Sequence, residues 1–218
     1  MGFSDDIPEP IVSWLEDVGI PSFRPCQRQS VDKGLFGREN LVVSTPTASG
    51  KTLVGEMAMR HNISFGKAVY VVPLRALAAE KHEDFSERHP EADVAVATGE
   101  FDSEGTAMRS ADIVIVTSEK LDSLLRHKTP WLQDIRCVVI DEIHLLNDQS
   151  RGPTLEVVLT MLRRRLNDAQ FIGLSATIGN DEALADWLDA GLVDDDWRPV
   201  ELREGTYQDG VIHFVNTE

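Results

Sequence analysis

The run from Thr45 to Thr52, TPTASGKT, has residue types and a spacing that could bind phosphate. Gly50 would let the backbone approach an anion closely, and amides at a helix start would donate hydrogen bonds to it. Lys51 could reach the β- and γ-phosphates of a nucleotide, and Thr52 could hold Mg²⁺. The spacing fits the GxxxxGK(S/T) loop except that Thr45 replaces the first glycine. We therefore predict a phosphate loop of altered shape, whose nucleotide-contacting residues are Thr45, Thr47, Ala48, Ser49, Gly50, Lys51 and Thr52.

An acidic pair could complete a phosphate-hydrolysing site. Asp141 and Glu142 follow the apolar run CVVI, so they are predicted at the C-terminal end of a buried strand, where ligands bind in open α/β sheets. Asp141 would orient Mg²⁺ and its waters, and Glu142 would position and deprotonate the attacking water. The plainer alternative, an ordinary acidic strand end, is disfavoured by the phosphate loop in the same chain. Lys51 and Glu142 are thus the predicted catalytic residues.

Alternating strand and helix signals place these residues in a layered fold. Several predicted strands, such as AVYVV and IVIV, are almost wholly apolar, which is typical of parallel strands buried on both faces. We predict an α/β fold with a mostly parallel sheet and helices on both faces. The predicted strands are 40–44, 68–72, 94–97, 113–116, 137–140 and 171–174; the predicted helices are 50–64, 74–88, 118–126, 154–166 and 182–188. Near the end of the chain, Asp209-Gly210 predicts a β-hairpin.

Taken together, the motifs resemble those of superfamily 2 helicases with a DExH box. Asp141-Glu142-Ile143-His144 is similar to the DExH box itself, and Gln27 in FRPCQRQSV resembles the Q motif. VPLRALAAEK, ATGEFDS and TSEKLDSLLR resemble the family's motif Ia, the segment after it and motif Ib, and Ser175-Ala176-Thr177 resembles motif III. PLRALAAEK, DEIHLL, RGPTLE, LSATIGN and RPVELREG are together similar to archaeal DNA repair helicases akin to the polymerase-theta helicase.

This resemblance implies a fold and further roles. It implies a P-loop NTPase of the RecA-like kind, divided into an N-terminal helical segment with the Q motif (1–36), the ATP-binding domain (37–200) and a C-terminal hairpin (201–218) that leads to a second domain outside this chain. Gln27 would read the adenine edge, and His144, Ser175, Ala176 and Thr177 would couple the nucleotide state to the second domain. The implied nucleic-acid contacts are Pro73, Leu74, Arg75, Thr98, Gly99, Thr117, Ser118, Lys120 and Arg151.

The contacts to the strand would be mainly to phosphates, which position a strand without reading its sequence. Thr117 and Ser118 also stand where a helix N-cap belongs, so capping and strand binding remain equally open for them. Family likeness favours single-stranded or forked DNA, and RNA remains possible. ATP and Mg²⁺ are the implied cofactors. Because the second RecA-like domain would bring an arginine finger, we expect weak hydrolysis and no unwinding by this chain alone.

The charge balance is unusual for a nucleic-acid-binding protein. The 218 residues include 37 acidic and 21 basic side chains, which gives a formal net charge of −16. Such an excess suits a protein of a salt-loving organism, although a merely acidic protein is the simpler alternative. The N-terminus lacks the basic and apolar regions of a secretory signal, and no apolar run approaches a membrane span. We therefore expect a cytoplasmic, halophilic archaeal protein without membrane contact.

Two other functional classes remain open at this stage. A P-loop ATPase or kinase that never touches nucleic acid would share the phosphate loop, but the Q motif, motif Ia and SAT speak against it. A non-enzymatic module that binds nucleotide or a partner would be favoured by the absent arginine finger. Turnover stimulated by a nucleic-acid strand would distinguish the helicase motor from both.

Overall fold

The computed structural model describes residues 3, 6–99, 105–176, 179–200, 205–208 and 210–214. Its centre is a seven-stranded, wholly parallel sheet in the order β3-β4-β2-β5-β6-β1-β7. The strands are β1 (Leu41–Ser44), β2 (Lys67–Val72), β3 (Val94–Ala97), β4 (Ile113–Thr117), β5 (Ile135–Ile140), β6 (Gln170–Ser175) and β7 (Gly191–Asp194). The predicted α/β fold class is therefore confirmed.

Helices cover both faces of this sheet and enclose two hydrophobic cores, one on each face. The helices are α1 (Glu9–Asp17), α2 (Pro25–Asp32), α3 (Lys51–Asn62), α4 (Arg75–Arg88), α5 (Gly105–Ser110), α6 (Ser118–Arg126), α7 (Gly152–Arg165) and α8 (Asp181–Leu188). β1, β4 and β6 are buried along their whole length, which explains why most of their residues are apolar or small.

The first helices pack into the same core as the phosphate-loop helix α3. Trp14 of α1 is buried, and its indole N–H donates to the carbonyl of Arg88, 2.8 Å away. The Arg88 guanidinium lies over the Trp14 ring and donates to buried Glu56 of α3 at 2.6 Å. One partly buried ion pair therefore joins α3 to the end of α4 beside the N-terminal helix.

The tail forms the predicted hairpin from two further strands, β8 (Gly205–Gln208) and β9 (Val211–Phe214), which pair antiparallel with each other. Its described residues are exposed, among them Tyr207 and Phe214. Asp209, part of the predicted turn, lies outside the described residues. No helix among those that the structure describes is long and apolar enough to span a membrane.

Candidate active site

The sheet order brings the predicted nucleotide-binding residues together at the C-terminal ends of the strands. β1 lies beside β6, and β6 lies beside β5, so the segments that leave these three strands at their C-terminal ends are neighbours. The phosphate loop follows β1, the Asp141–Glu142 pair follows β5, and the SAT segment begins at Ser175, the last residue of β6. Ser44 and Ser175 are register partners at the ends of their strands, and the Thr45 amide donates to the Ser175 carbonyl at 3.2 Å.

The phosphate loop has an uncommon backbone. Gly50, the N-cap of α3, has φ 96°, and Ala48 has φ 66°, a left-handed conformation that is costly for a residue with a Cβ. Glu142, which comes shortly after β5, is also left-handed, with φ 51°. Strain of this kind is concentrated at functional sites, where the surrounding contacts hold it in place.

The contacts that hold the loop come from the start of α2. The Arg24 guanidinium donates to the Ala48 carbonyl at 2.7 Å, and the Gln27 side-chain amide donates to the Gly50 carbonyl at 3.0 Å. The Gln27 side-chain oxygen in turn accepts from the Arg24 amide at 2.8 Å. The buried Cys26 thiol lies 3.6 Å from the carbonyl oxygen of Ser49, and burial raises the pKa of this thiol. Three successive loop carbonyls thus face α2.

These contacts also determine the direction in which the amide groups of the loop point. In a trans peptide the N–H lies on the side opposite the preceding carbonyl. Because the carbonyls of Ser49 and Gly50 face α2, the amides of Gly50 and Lys51 point away from it. Amides at the start of a helix bind anions well. The loop therefore has the backbone polarity that a phosphate site requires, even without the first glycine.

Thr45, the departure from the usual loop, is inside the protein. Its side chain is fully buried, and its hydroxyl lies 2.8 Å from the buried Ser49 hydroxyl. The hydroxyls of these two predicted ligands therefore bond to each other inside the protein, and their amides are bonded to the carbonyls of Ser175 and Pro46. Thr47 and Ala48 are exposed, Thr52 is half-buried, and the Lys51 side chain is largely buried at 8% exposure.

A buried tyrosine and a backbone amide fix the Asp141 carboxylate. The hydroxyl of Tyr70, in β2, donates to Asp141 Oδ2 at 2.9 Å, and the Glu142 amide donates to Oδ1 at 3.1 Å. Burial, followed by the Asp141 charge, raises the pKa of Tyr70 well above its ordinary value, so the phenol remains a donor. Glu142 is partly exposed, with its Oε2 atom 3.2 Å from His144 Nδ1.

These residues fit Mg²⁺ bound together with a nucleotide. Mg²⁺ prefers oxygen ligands and usually keeps several waters, needing one or two protein groups plus substrate phosphates. Asp141 and Thr52 carry oxygens of this kind, and Thr52 directly follows Lys51 in the chain. Across the described part of the chain there is no cluster of three or more histidine, cysteine or acidic residues that would hold a metal unaided. A metal here would therefore depend on the phosphates.

The residues predicted to bind nucleic acid form a second group, also at the C-terminal ends of the strands but on the other side of β5. All of them except Arg151 lie at or after the ends of β2, β4 and β3, which are neighbouring strands, whereas Arg151 follows β5 and precedes α7. Leu74 and Arg75 are exposed at the start of α4, and the Lys120 ammonium donates to the Gly99 carbonyl at 2.7 Å. Thr98 and Gly99 are half-buried.

The capping alternative for Thr117 has a contact to support it. Thr117 is the N-cap of α6, and its hydroxyl accepts from the Lys120 amide at 3.4 Å, while Ser118 is buried. Ser118 also lines a very small cavity, of about 10 Å³, together with Pro73, Arg151 and Asp141. The predicted strand contacts and the predicted metal ligand are therefore in direct proximity.

The predicted coupling residues are only partly described. His144 is half-buried and lines a cavity of about 240 Å³ with Asn180 and Trp187, and Ala176 is half-buried. The Ser175 hydroxyl points to the Ala176 carbonyl at 2.6 Å. Thr177 lies outside the described residues.

Sequence reasoning missed two residues that shape this site, Arg24 and Tyr70. Arg24 precedes Pro25 at a helix start, which gives no hint of a bond to a carbonyl 24 positions later. Tyr70 is the one residue of AVYVV with a polar side-chain atom. Because a buried phenol usually needs a hydrogen-bond partner, that atom was the available signal.

Comparison with known proteins gives consistent matches. A family model described as DEAD/DEAH box helicase matches residues 24–185. ATP-dependent DNA helicase Hel308 of Methanocaldococcus jannaschii is 46% identical over 95% of this chain and 18% of its own length. Hel308 of Pyrococcus abyssi is 47% identical over 96% of this chain and 29% of its own length. The chain thus spans less than a third of these relatives.

A solved structure agrees with the sequence matches. The crystal structure of the DUF1998 helicase MrfA bound to DNA aligns with a TM-score of 0.73 and 28% identity, over 90% of this chain and 30% of that one. The family model covers more than half of the chain, and the matched segment includes the phosphate loop, the Asp141–Glu142 pair and the end of β6. The chain therefore belongs to the DEAD/DEAH box helicase family.

Proposed function

We propose that this chain is the ATP-binding motor domain of an ATP-dependent DNA helicase, which couples ATP hydrolysis to movement along single-stranded DNA and to duplex unwinding. The observation that carries the proposal is that the phosphate loop, Asp141 and Ser175, the first residue of the SAT segment, lie at the C-terminal ends of neighbouring strands. The titles of the most similar relatives, ATP-dependent DNA helicases, support it. The DEIH sequence favours the DExH subgroup.

Each residue has a proposed role at the nucleotide. The amides of Gly50 and Lys51 would donate to phosphate oxygens, and the Lys51 ammonium would lie against the β- and γ-phosphates. Thr52 and Asp141 would hold Mg²⁺, which neutralises phosphate charge. Glu142 would orient the attacking water and accept its proton. Gln27 would read adenine with the hydrogen-bonding capacity that its bonds to Arg24 and Gly50 leave available.

A nucleic-acid strand would run over the ends of β2, β4 and β3. Backbone and hydroxyl groups of the second residue group, with Arg75 and Arg151, would contact phosphates. The −16 net charge makes long-range attraction weak, so we infer that short-range contacts dominate. DNA is proposed over RNA on the relatives' titles, and on the DNA-bound state of the similar MrfA structure.

The proposed activity needs a second RecA-like domain, in keeping with the small share of the relatives that this chain covers. Segments 1–36, 37–200 and 201–218 would be the Q-motif helices, the ATP-binding domain and the hairpin that leads to that second domain. His144 and the SAT segment would face it. We further propose a cytoplasmic location and a halophilic host.

The test is ATP hydrolysis by this chain in roughly molar KCl, with and without single-stranded DNA, beside Lys51→Ala. Slow turnover that rises with DNA and is lost in Lys51→Ala is the expected result. DNA-independent turnover would favour a P-loop ATPase that does not act on nucleic acid. Mg²⁺-dependent ATP binding without turnover would favour a nucleotide-binding module, and stimulation by RNA alone would reassign the strand.

A further inference from the structure

The hydroxyl of Tyr70 is an unusual group in the middle of the sheet. Tyr70 is fully buried in β2, between strands β4 and β5, and every other residue of AVYVV has an apolar side chain. Its hydroxyl reaches across to the Asp141 carboxylate at 2.9 Å. Burying a hydroxyl costs free energy unless it is hydrogen-bonded, so a phenylalanine would serve the core equally well. The presence of the Tyr70 hydroxyl is therefore not explained by packing of the core.

Packing fixes the position of this oxygen. The Tyr70 ring meets the Phe85 ring edge-on, with centroids 5.0 Å apart. Gly55 of the phosphate-loop helix is also close, and an added Cβ there would be 3.6 Å from Tyr70 Cε2 and 2.9 Å from Val139 Cγ1. The absence of a side chain at Gly55 thus lets α3 lie close against Tyr70. The phenol is held between the helix that begins at the phosphate loop and the helix that begins at Arg75.

The two hydrogen bonds on Asp141 leave room for a metal. An ionised carboxylate has about four acceptor positions. The Tyr70 hydroxyl fills one on Oδ2, and the Glu142 amide fills one on Oδ1. One position remains on each oxygen, and rotation of the carboxylate is opposed at both ends. This arrangement orients a carboxylate for a metal or its waters, as outer-shell partners of metal ligands commonly do.

We infer that Tyr70 is a positioning residue that orients Asp141 for magnesium-dependent nucleotide binding. The inference rests on the proposed function, because it assumes that Asp141 acts on Mg²⁺. Tyr70 itself touches neither metal nor nucleotide. Its removal should therefore weaken the magnesium-dependent part of binding and spare the part that depends on the loop amides and Lys51.

The test compares Tyr70→Phe with Tyr207→Phe, the same one-oxygen change at the other tyrosine of the chain, which is exposed in the hairpin. A fluorescent ADP analogue is titrated in roughly molar KCl, first in EDTA and then with increasing Mg²⁺. Tyr70→Phe should raise the Mg²⁺ concentration at half-saturation about 5- to 10-fold and change the affinity in EDTA less than about 2-fold. Tyr207→Phe should change neither.

A double-mutant cycle with Asp141→Ala shows whether Tyr70 acts through the carboxylate. In the Asp141→Ala background, Tyr70→Phe should have no further effect on magnesium dependence. Unchanged magnesium dependence in Tyr70→Phe, or an equal loss in EDTA and in Mg²⁺, would overturn the inference and leave the proposed function intact. A wild-type chain without magnesium-dependent nucleotide binding would overturn both.

Discussion

Replacing Gly50 by alanine tests the account of the phosphate loop most directly. An alanine at this position would have to adopt φ 96°, and a left-handed backbone costs an L-residue about 1–2 kcal/mol. The alanine Cβ would lie 2.5 Å from Gln27 Nε2, so the Gln27 side chain would have to move. It would then lose its bonds to Gly50 and Arg24, each worth about 0.5–1.5 kcal/mol. We expect Gly50→Ala to lower the free energy of unfolding by about 2–5 kcal/mol.

Substitutions at two other glycines separate the cost of a left-handed backbone from the cost of the steric clash. Gly19 has φ 73° with nothing within 4 Å of an added Cβ, so Gly19→Ala measures backbone strain alone, about 1–2 kcal/mol. Gly37 has neither a left-handed φ nor a neighbour within 4 Å, and Gly37→Ala should be neutral or slightly stabilising. Urea unfolding in molar KCl, followed by circular dichroism, gives each free energy.

The part that depends on Gln27 can be isolated. In a Gln27→Ala background the 2.5 Å clash is gone and only the 3.1 Å approach to the Arg24 side chain remains, so Gly50→Ala should cost little more than Gly19→Ala. The coupling between the two positions should therefore be about 1–3 kcal/mol. If Gly50→Ala costs no more than Gly19→Ala, or if the coupling is absent, the bracing of the loop by α2 has been described incorrectly.

Three further outcomes are expected. Gly152→Ala should clearly lower the melting temperature, because the added Cβ would lie 2.2 Å from the Leu146 carbonyl oxygen, a backbone atom that cannot easily move. An unchanged melting temperature would contradict this packing. Asp148 accepts hydrogen bonds from Ser150 and Arg151, and these bonds lower its pKa from 3.8 to about 2. The stabilising effect of Asp148 should therefore be complete above pH 3.8 and fade as the pH falls through about 2. A side-chain NMR titration that gives an ordinary pKa for Asp148 would refute this prediction. Diluting KCl from molar to about 0.1 M should unfold the chain as the Debye length grows to ~10 Å, and an unchanged circular dichroism signal would remove the halophile proposal.

Local patterns predicted much of the fold. The apolar runs of β2, β4 and β5 predicted buried strands because strands in the middle of a parallel sheet meet helices on both faces. By contrast, β7 was not predicted. Its four residues, GLVD, include a glycine and an acid, and the strand forms because it pairs with β1 at the edge of the sheet. Pairing of that kind depends on distant residues rather than on a local pattern.

The site shows the same division between local and distant information. GKT and DEIH could be recognised because phosphate and metal chemistry require those residue types at that spacing. The support from Arg24 could not be recognised, and the Tyr70 hydroxyl indicated only that it needs a partner, because the partners depend on distances between segments far apart in sequence. Arg24 lies 24 positions before Ala48, and Tyr70 lies 71 positions before Asp141.

The contact between Arg24 and Trp197 gives the molecule an optical property. The Arg24 guanidinium lies 5.5 Å from the centre of the Trp197 ring while it donates to the loop carbonyl of Ala48. The indole is 38% exposed, whereas Trp14 and Trp131 are buried, so its emission is the one most sensitive to local solvent among these three. Any rearrangement of the loop that moves Arg24 would change the surroundings of this fluorophore. Trp197 emission should therefore report a rearrangement of the phosphate loop without an added dye.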